Sequence, residues 1–328
     1  MAKIGIAFWR RLQPADVVEC SKHAERRGFT SAWMVEGHGG DAFSLATACA
    51  LGTERILLGT SVVSVFVRSP PTIALGASVV NELSGGRFIL GLGSSHKVQV
   101  QDEHGIAYEK PTRRIKETVE IVRNLLSNGQ ISHNGEIFKI KNYDLWFEPR
   151  RNRVPIYLSA VFPGMLRLAG QIADGILLVW CSEDYAKWAM EHVEEGAEMS
   201  GRGISDIEVA SVIPCCVSED EARAKNNMRS VIAFYVGFFP RYRKLLATIG
   251  FERNANMIGE AWKAGDKDGA AKLVSDRIID TIAVAGTPEH CRRRVEEYRK
   301  AGVSHPILLP TGTDGDVKSG TVDAINAF

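Results

Sequence analysis

The sequence is poor in the features that would tie it to a membrane, a nucleic acid or a metal. No apolar run approaches the ~20 residues that a bilayer span requires; the longest, such as Ile176–Trp180, are of strand length. Charge of one sign is also missing: Lys+Arg 40 against Asp+Glu 39 leaves a formal +1. That balance supplies no basic field for nucleic acid and no polybasic patch for an anionic membrane. The six cysteines, Cys20, Cys49, Cys181, Cys215, Cys216 and Cys291, include no C-x-x-C pair. Neither an H-E-x-x-H nor a Cys/His spacing offers the three or four ligands a metal needs, so no metal is expected. A Walker loop and a G-x-S-x-G elbow are absent as well. The opening residues Met1 to Ile6 enter an apolar segment without a signal-peptide pattern. Together with thiols in apolar contexts, this predicts a cytoplasmic protein.

What is present is enough apolar sequence for a large core: 328 residues, 45% hydrophobic and 24% charged. Short β-rich runs alternate with helical periodicity. Strands are expected at Lys3–Phe8, Ser31–Val35, Arg55–Val63, Arg87–Gly93, Pro155–Ala160, Gly175–Trp180, Ile207–Val217 and His305–Leu309. Between them lie helices punctuated by proline at the start and glycine at the end, as in Pro70-Pro71 … Gly85-Gly86. Pro111–Ser127 carries Ile115, Val119, Val122 and Leu126 on one face, and Asn134-Gly135 predicts a hairpin turn. Eight strands in this alternation predict an α/β fold, a (β/α)8 TIM barrel with insertions after strands 4 and 7. The surplus falls near 94–110, 130–153 and 222–285 of a single domain spanning 1–328.

Active sites of such barrels lie at the C-terminal ends of the strands. Strand two runs out into Glu36-Gly37-His38, and strand four into Gly93-Ser94-Ser95-His96. His38 and His96 are therefore candidate proton donors near neutral pH, with Glu36 as a candidate orienting partner. Gly91-Leu92-Gly93 is not a dinucleotide fingerprint, because His96 stands at the third glycine and a loop follows. Small residues there are expected to let a ligand approach the backbone. Cys215-Cys216 is expected to be structural. Trp180, Phe234, Tyr235, Phe238 and Phe239 are candidates to line a substrate pocket, and Lys97, Lys110, Arg113 and Arg114 to meet an anionic ligand.

Three rim segments carry a family resemblance: Trp33-Met34-Val35-Glu36-Gly37-His38, Leu58-Gly59-Thr60-Ser61-Val62 and Gly86-Arg87-Phe88-Ile89-Leu90-Gly91-Leu92-Gly93. With them the chain resembles the bacterial-luciferase-like superfamily. The segment from His104 to Pro111, followed by Arg113 and Arg114, is similar to the branch that uses the deazaflavin coenzyme F420, which includes methylenetetrahydromethanopterin reductases. The resemblance implies a non-prolyl cis bond at Ser61–Val62 and a cofactor-binding set of Thr60, Ser61, Val62, Ser94, Ser95, His96, Val98, Gln99, Ser159, Ala160 and Gly164. It also implies a homodimer. His38 matches a histidine at the reacting face, whereas Gly37 and His96 replace acidic residues found in several deazaflavin dehydrogenases. The implied activity is F420-dependent hydride transfer to C=N, C=C or C=O of a small organic substrate. An FMN-dependent monooxygenase fed by a separate flavin reductase is the alternative, and a ligand carrier without turnover a third reading.

Overall fold

The computed structural model describes residues 2–9, 11–150 and 153–328. Met1, and Arg151 and Asn152 within the expected 130–153 insertion, lie outside the described residues. Eight principal strands occur in chain order: β1 Gly5–Phe8, β2 Ser31–Met34, β3 Leu57–Thr60, β4 Phe88–Gly93, β5 Ile156–Ser159, β6 Gly175–Val179, β7 Glu208–Val217 and β8 His305–Pro310. Helices α1 Pro14–Arg26, α2 Ala42–Gly52, α3 Pro70–Leu83, α4 Pro111–Asn128, α5 Pro163–Ile172, α6 Glu183–Glu198 and α7 Glu221–Phe238 alternate with them.

The chain divides into two compact units, Phe8–Leu177 with Met190–Glu208, and Met1–Ala7 with Leu178–Ala189 and Val209–Phe328. In the first, β2 to β6 form consecutive parallel pairs with Ser31 opposite Leu57, Leu58 opposite Phe88, Leu90 opposite Ile156 and Tyr157 opposite Gly175. Trp33, Met34, Leu58, Leu90 and Leu92 are fully buried. Strands of a parallel sheet are covered on both faces, which is why they read as unbroken apolar runs. In the second unit β1 pairs with β8 and β8 with β7, Gly5 lying opposite Ile307 and Ala210 opposite His305.

Helix starts follow from local chemistry. Asp41 accepts from the Ser44 amide at the head of α2, and Ser69 from the Thr72 amide at the head of α3, where Pro70 takes a position whose N–H has no helical partner.

At the N-terminal ends of the strands of the first unit, loops are closed by buried or half-buried charges. Arg87 donates to the carbonyls of Ser84, Ala50, Thr53 and Ile56 and to the Thr53 hydroxyl, at 2.6–3.1 Å. Glu25 accepts from the amides of Glu54, Arg55 and Ile56. Asp174 accepts from Arg123, Arg153 and the Ile156 amide.

Four expectations are corrected. Strand three is interrupted: after Thr60 a separate short strand, Val63–Ser64, pairs with Leu92 and Gly93. The hairpin pairs Gln130–Asn134 with Lys139–Asp144, so its loop is four residues long and Asn134-Gly135 is not a two-residue turn. The reason is Glu117, fully buried on α4, whose carboxylate accepts the amides of Glu136, Ile137 and Phe138 and so holds that loop open. The segment after β4 contains a π-helical turn, Gln99–Glu103. The 222–285 excursion is helical except at its end, where Val284–Gly286 adds a short parallel strand beside Cys215–Val217. Three residues are too few for a periodic signal.

Candidate active site

Beyond the C-terminal ends of β2, β3, β4 and β5, four adjacent segments of one unit meet at a single edge of the parallel sheet. Each brings sequence-predicted candidates. The β2 segment supplies Glu36 and His38, and the β3 segment Ser61 and Val62. The β4 segment supplies Ser94, Ser95, His96, Val98 and Gln99, and the β5 segment Ser159, Ala160 and Gly164.

His38 sits in a tight turn closed by a Gly37–Gly40 bridge. Gly37 has φ +147°, which only glycine adopts without strain, so the acidic residue expected by resemblance would be costly at this position. The His38 side chain is 70% exposed, and its Nε2 lies 2.7 Å from Oε2 of Glu103, at the end of the π-helical turn. Glu36 does not meet it. The Glu36 carboxylate takes Nε and Nη2 of Arg68 at 3.0 and 2.6 Å and the Ser64 amide at 3.2 Å. Arg68 also binds Asp41 and lies over the Phe43 ring at 5.3 Å. Burial of Asp41 works against its ionisation, but Ser44 and Arg68 together hold its carboxyl below the usual range.

The Ser61–Val62 peptide is cis. Thr60, expected among the cofactor contacts, is fully buried. Its hydroxyl donates to the Gly91 carbonyl and accepts from the Gly91 amide, both at 2.9 Å, and thus joins β3 to β4. The glycines of Gly91-Leu92-Gly93 admit protein rather than ligand. A Cβ on Gly91 would stand 1.8 Å from the Thr60 carbonyl oxygen, and one on Gly93 would stand 2.6 Å from Val62 Cγ2. The Gly93 position is also 3.5 Å from Ser159 Cβ, which places Val62 and Ser159 side by side.

Ser95 adopts φ +56°, and its hydroxyl reaches Gln99 at 3.4 Å. Val100, fully buried, anchors the π-helical turn and donates its amide to the His96 carbonyl at 3.0 Å. Ser61, Ser95, His96, Val98, Gln99 and Ser159 are half-buried, Ser94 and Ala160 buried, and Gly164 exposed at the second position of α5 with no atom within 4 Å of where a Cβ would stand.

Sequence reasoning missed Glu103 and Arg68. Glu103 lies in a polar stretch with no periodic signal. Arg68 had one, as a lone cation at the end of an apolar stretch just before the Ser69-Pro70 helix start. The basic set is largely engaged: Lys110 pairs with Glu136, Arg113 with Glu117 at 2.7 Å, and Arg114 stacks over Phe66 and Phe138. Lys97 alone of that set has no partner among the described residues. Tyr108 stacks on Phe66 at 4.6 Å, so the 94–110 segment is pinned near its end as well as at Val100.

In the other unit, Trp180 packs against Tyr235 and Tyr242, and Phe234 against Phe238, Phe239 and Trp262. All six cysteines are free and buried. Burial pushes the Cys49 thiol up to about 11 and that of Cys181 to about 12, which suits core packing and not nucleophilic chemistry. Among the described residues, no cluster of His, Cys, Asp and Glu could hold a metal. No described helix is long and apolar enough to cross a membrane.

A model of the luciferase-like monooxygenase family matches residues 6–305. The chain belongs to this luciferase-like family. Within it, the sequence is 33% identical over 319 residues to a 5,10-methylenetetrahydromethanopterin reductase of Archaeoglobus fulgidus, covering 95% of each chain. A reductase of the same name from Methanolobus tindarius is 31% identical over 92% of each. Among solved structures, the coenzyme F420 dependent tetrahydromethanopterin reductase from Methanopyrus kandleri matches with a TM-score of 0.88 at 27% identity, over 99% of this chain and 98% of that one. The luciferase-like chain thus has the (β/α)8 barrel fold expected from its strand and helix order.

Proposed function

We propose that this chain is an F420-dependent oxidoreductase, one catalytic domain that moves a hydride between the deazaflavin and a C=N, C=C or C=O group of a small organic substrate. The observation that carries the reading is the set of half-buried hydroxyl and amide groups at and just beyond the C-terminal ends of β3, β4 and β5, with two histidines on the segments that follow β2 and β4, in a chain 33% identical to a methylenetetrahydromethanopterin reductase. The donor set fits the coenzyme. Ser61, Ser95, Gln99 and Ser159 present donors suited to ring carbonyls and a polyol chain. The amide-bearing start of α5 at Gly164 suits a phosphate.

When bound, the reduced deazaflavin supplies a hydride from its ring carbon. In this reading Val62 and Ala160 give the ring an apolar bed, while Ser94, Ser95 and Gln99 fix its register. His38 or His96 delivers the proton that balances the hydride. Glu36 supports the strand end through Ser64 and Arg68 and leaves His38 to another partner. Thr60 contributes by holding β3 to β4.

Parallel fluorescence titrations with coenzyme F420 and FMN test the reading. Micromolar F420 binding with FMN at least about tenfold weaker supports it. The reverse preference overturns it in favour of oxygen chemistry with a reductase partner. Reduced F420 with methylenetetrahydromethanopterin is the first donor and acceptor pair to try.

A homodimer and a cytoplasmic setting belong to the same proposal. α2 has no charged residue, and Leu51 on it and Val79 and Leu83 on α3 are 70%, 42% and 45% exposed. Helices apolar on their outer as well as inner faces are generally covered on both, and a second copy of the chain would cover these. Light scattering should give twice the chain mass, with Leu51→Glu plus Leu83→Glu shifting it to the monomer.

A further inference from the structure

Burial cannot fix the orientation of the His38 ring. The side chain stands on the tip of a glycine-closed turn and is 70% exposed. What holds it is Glu103, 65 residues further along the chain, at 2.7 Å, a separation typical of a charge-assisted bond. The other carboxylates near this turn are committed elsewhere: Glu36 to Arg68 and Ser64, Asp41 to Arg68 and Ser44. Glu103 is itself held in place. The π-helical turn that carries it is anchored by buried Val100, and closed by the His104 amide on the Gln99 carbonyl and the Ile106 amide on the Val100 carbonyl.

The geometry decides which ring nitrogen is available for chemistry. Nε2–H donates to the Glu103 carboxylate, and Nδ1 has no partner among the described residues. We propose that Glu103 is the positioning residue of His38, tethering Nε2 so that proton exchange with substrate takes place at Nδ1. The role of His38 in this inference rests on the hydride-transfer reading above, whereas the tether does not.

The test uses full-length protein with 15N-labelled histidine, the His38 signals being identified by their loss in His38→Asn. A hydrogen-bonded Nε2–H signal of His38 is expected in the wild type and in Glu103→Gln, whose amide oxygen still accepts, and is expected to vanish in Glu103→Ala. With reduced F420 saturating and methylenetetrahydromethanopterin as probe, Glu103→Ala should slow single-turnover transfer about tenfold or more, leave F420 affinity within about twofold, and be largely rescued in Glu103→Gln. Absence of the Nε2–H signal in the wild type overturns the proposal. So does a Glu103→Gln variant as slow as Glu103→Ala, or a Glu103→Ala variant that weakens F420 binding while transfer at saturation is unchanged. If wild-type protein transfers no hydride to the probe, the substrate reading fails, and the nitrogen signals alone decide the tether.

Discussion

Apart from the Glu36–Arg68–Asp41 cluster, the two ends of the β2–β5 strands treat polar groups in opposite ways. At the N-terminal ends, three charges are each bonded several times over: Arg87 by four carbonyls and a hydroxyl, Glu25 by three amides, Asp174 by two guanidinium groups and an amide. At the C-terminal ends, the histidine of the β2 turn is exposed with a single partner among the described residues, and hydroxyls line a half-buried edge. Saturated groups contribute to stability because removing one strands several buried partners. Sparsely bonded groups on an open rim contribute little to stability and remain free to bind something else. Substitutions at the two ends should therefore separate cleanly into losses of stability and losses of activity.

The sharpest way to break that division is Arg87→Ala. It should lower unfolding free energy by about 4 kcal/mol in a denaturant titration, since four carbonyls lose their donor, with F420 affinity preserved in the folded fraction. Next, His38→Asn should reduce hydride transfer by about 100-fold, about 2.7 kcal/mol of barrier, with the melting midpoint unchanged. A melting shift comparable to that of Arg87→Ala would dissolve the contrast.

Glu117→Gln comes third, at about 2 kcal/mol of stability. Burial alone would raise the Glu117 carboxyl, but the amides of Phe138, Ile137 and Glu136 and the Arg113 guanidinium hold it down to about 2. A depressed carboxylate stabilises the fold above its unfolded value of ~4.3 and loses that contribution as pH falls toward the folded value. The gap between wild type and Glu117→Gln should thus be full at neutral pH and close between about pH 4.3 and about 2, as acid titrations of the unfolding midpoint would show. Glu25→Gln should be the smallest effect, about 1 kcal/mol, because the residue is half-exposed to water that can replace the lost charge.

The parallel strands were legible because their apolar runs and proline–glycine punctuation are local properties, and β2, β4 and β7 fall within two residues of expectation at each end. The hairpin loop was not, since its length is set by Glu117, 19–21 residues away, and Asn134-Gly135 alone points to a tighter turn. The rim candidates were legible as strand ends, and the cis peptide at Ser61–Val62 through the family resemblance. Their division of labour was not. Thr60 reads like a ligand contact until its hydroxyl is seen between two strands, and Glu36 reads like a partner of His38 until Arg68 is seen to hold it. Pairings of this kind depend on which loops fold back on which, and a residue two positions from a histidine carries no record of that.

The Arg87 bonds also set a clock on assembly. Their acceptors Ala50, Thr53 and Ile56 precede it by 37, 34 and 31 residues. At about 5–20 residues per second of synthesis, those carbonyls wait about 2–7 s before their donor is made. During that interval those three carbonyls lack their side-chain donor, while Glu25, already made, can take the amides of Glu54, Arg55 and Ile56, and the β2–β3 layer lacks the side chain that will close its lower edge. The arrival of one arginine is thus the earliest moment at which the first third of this barrel can become durable on the ribosome.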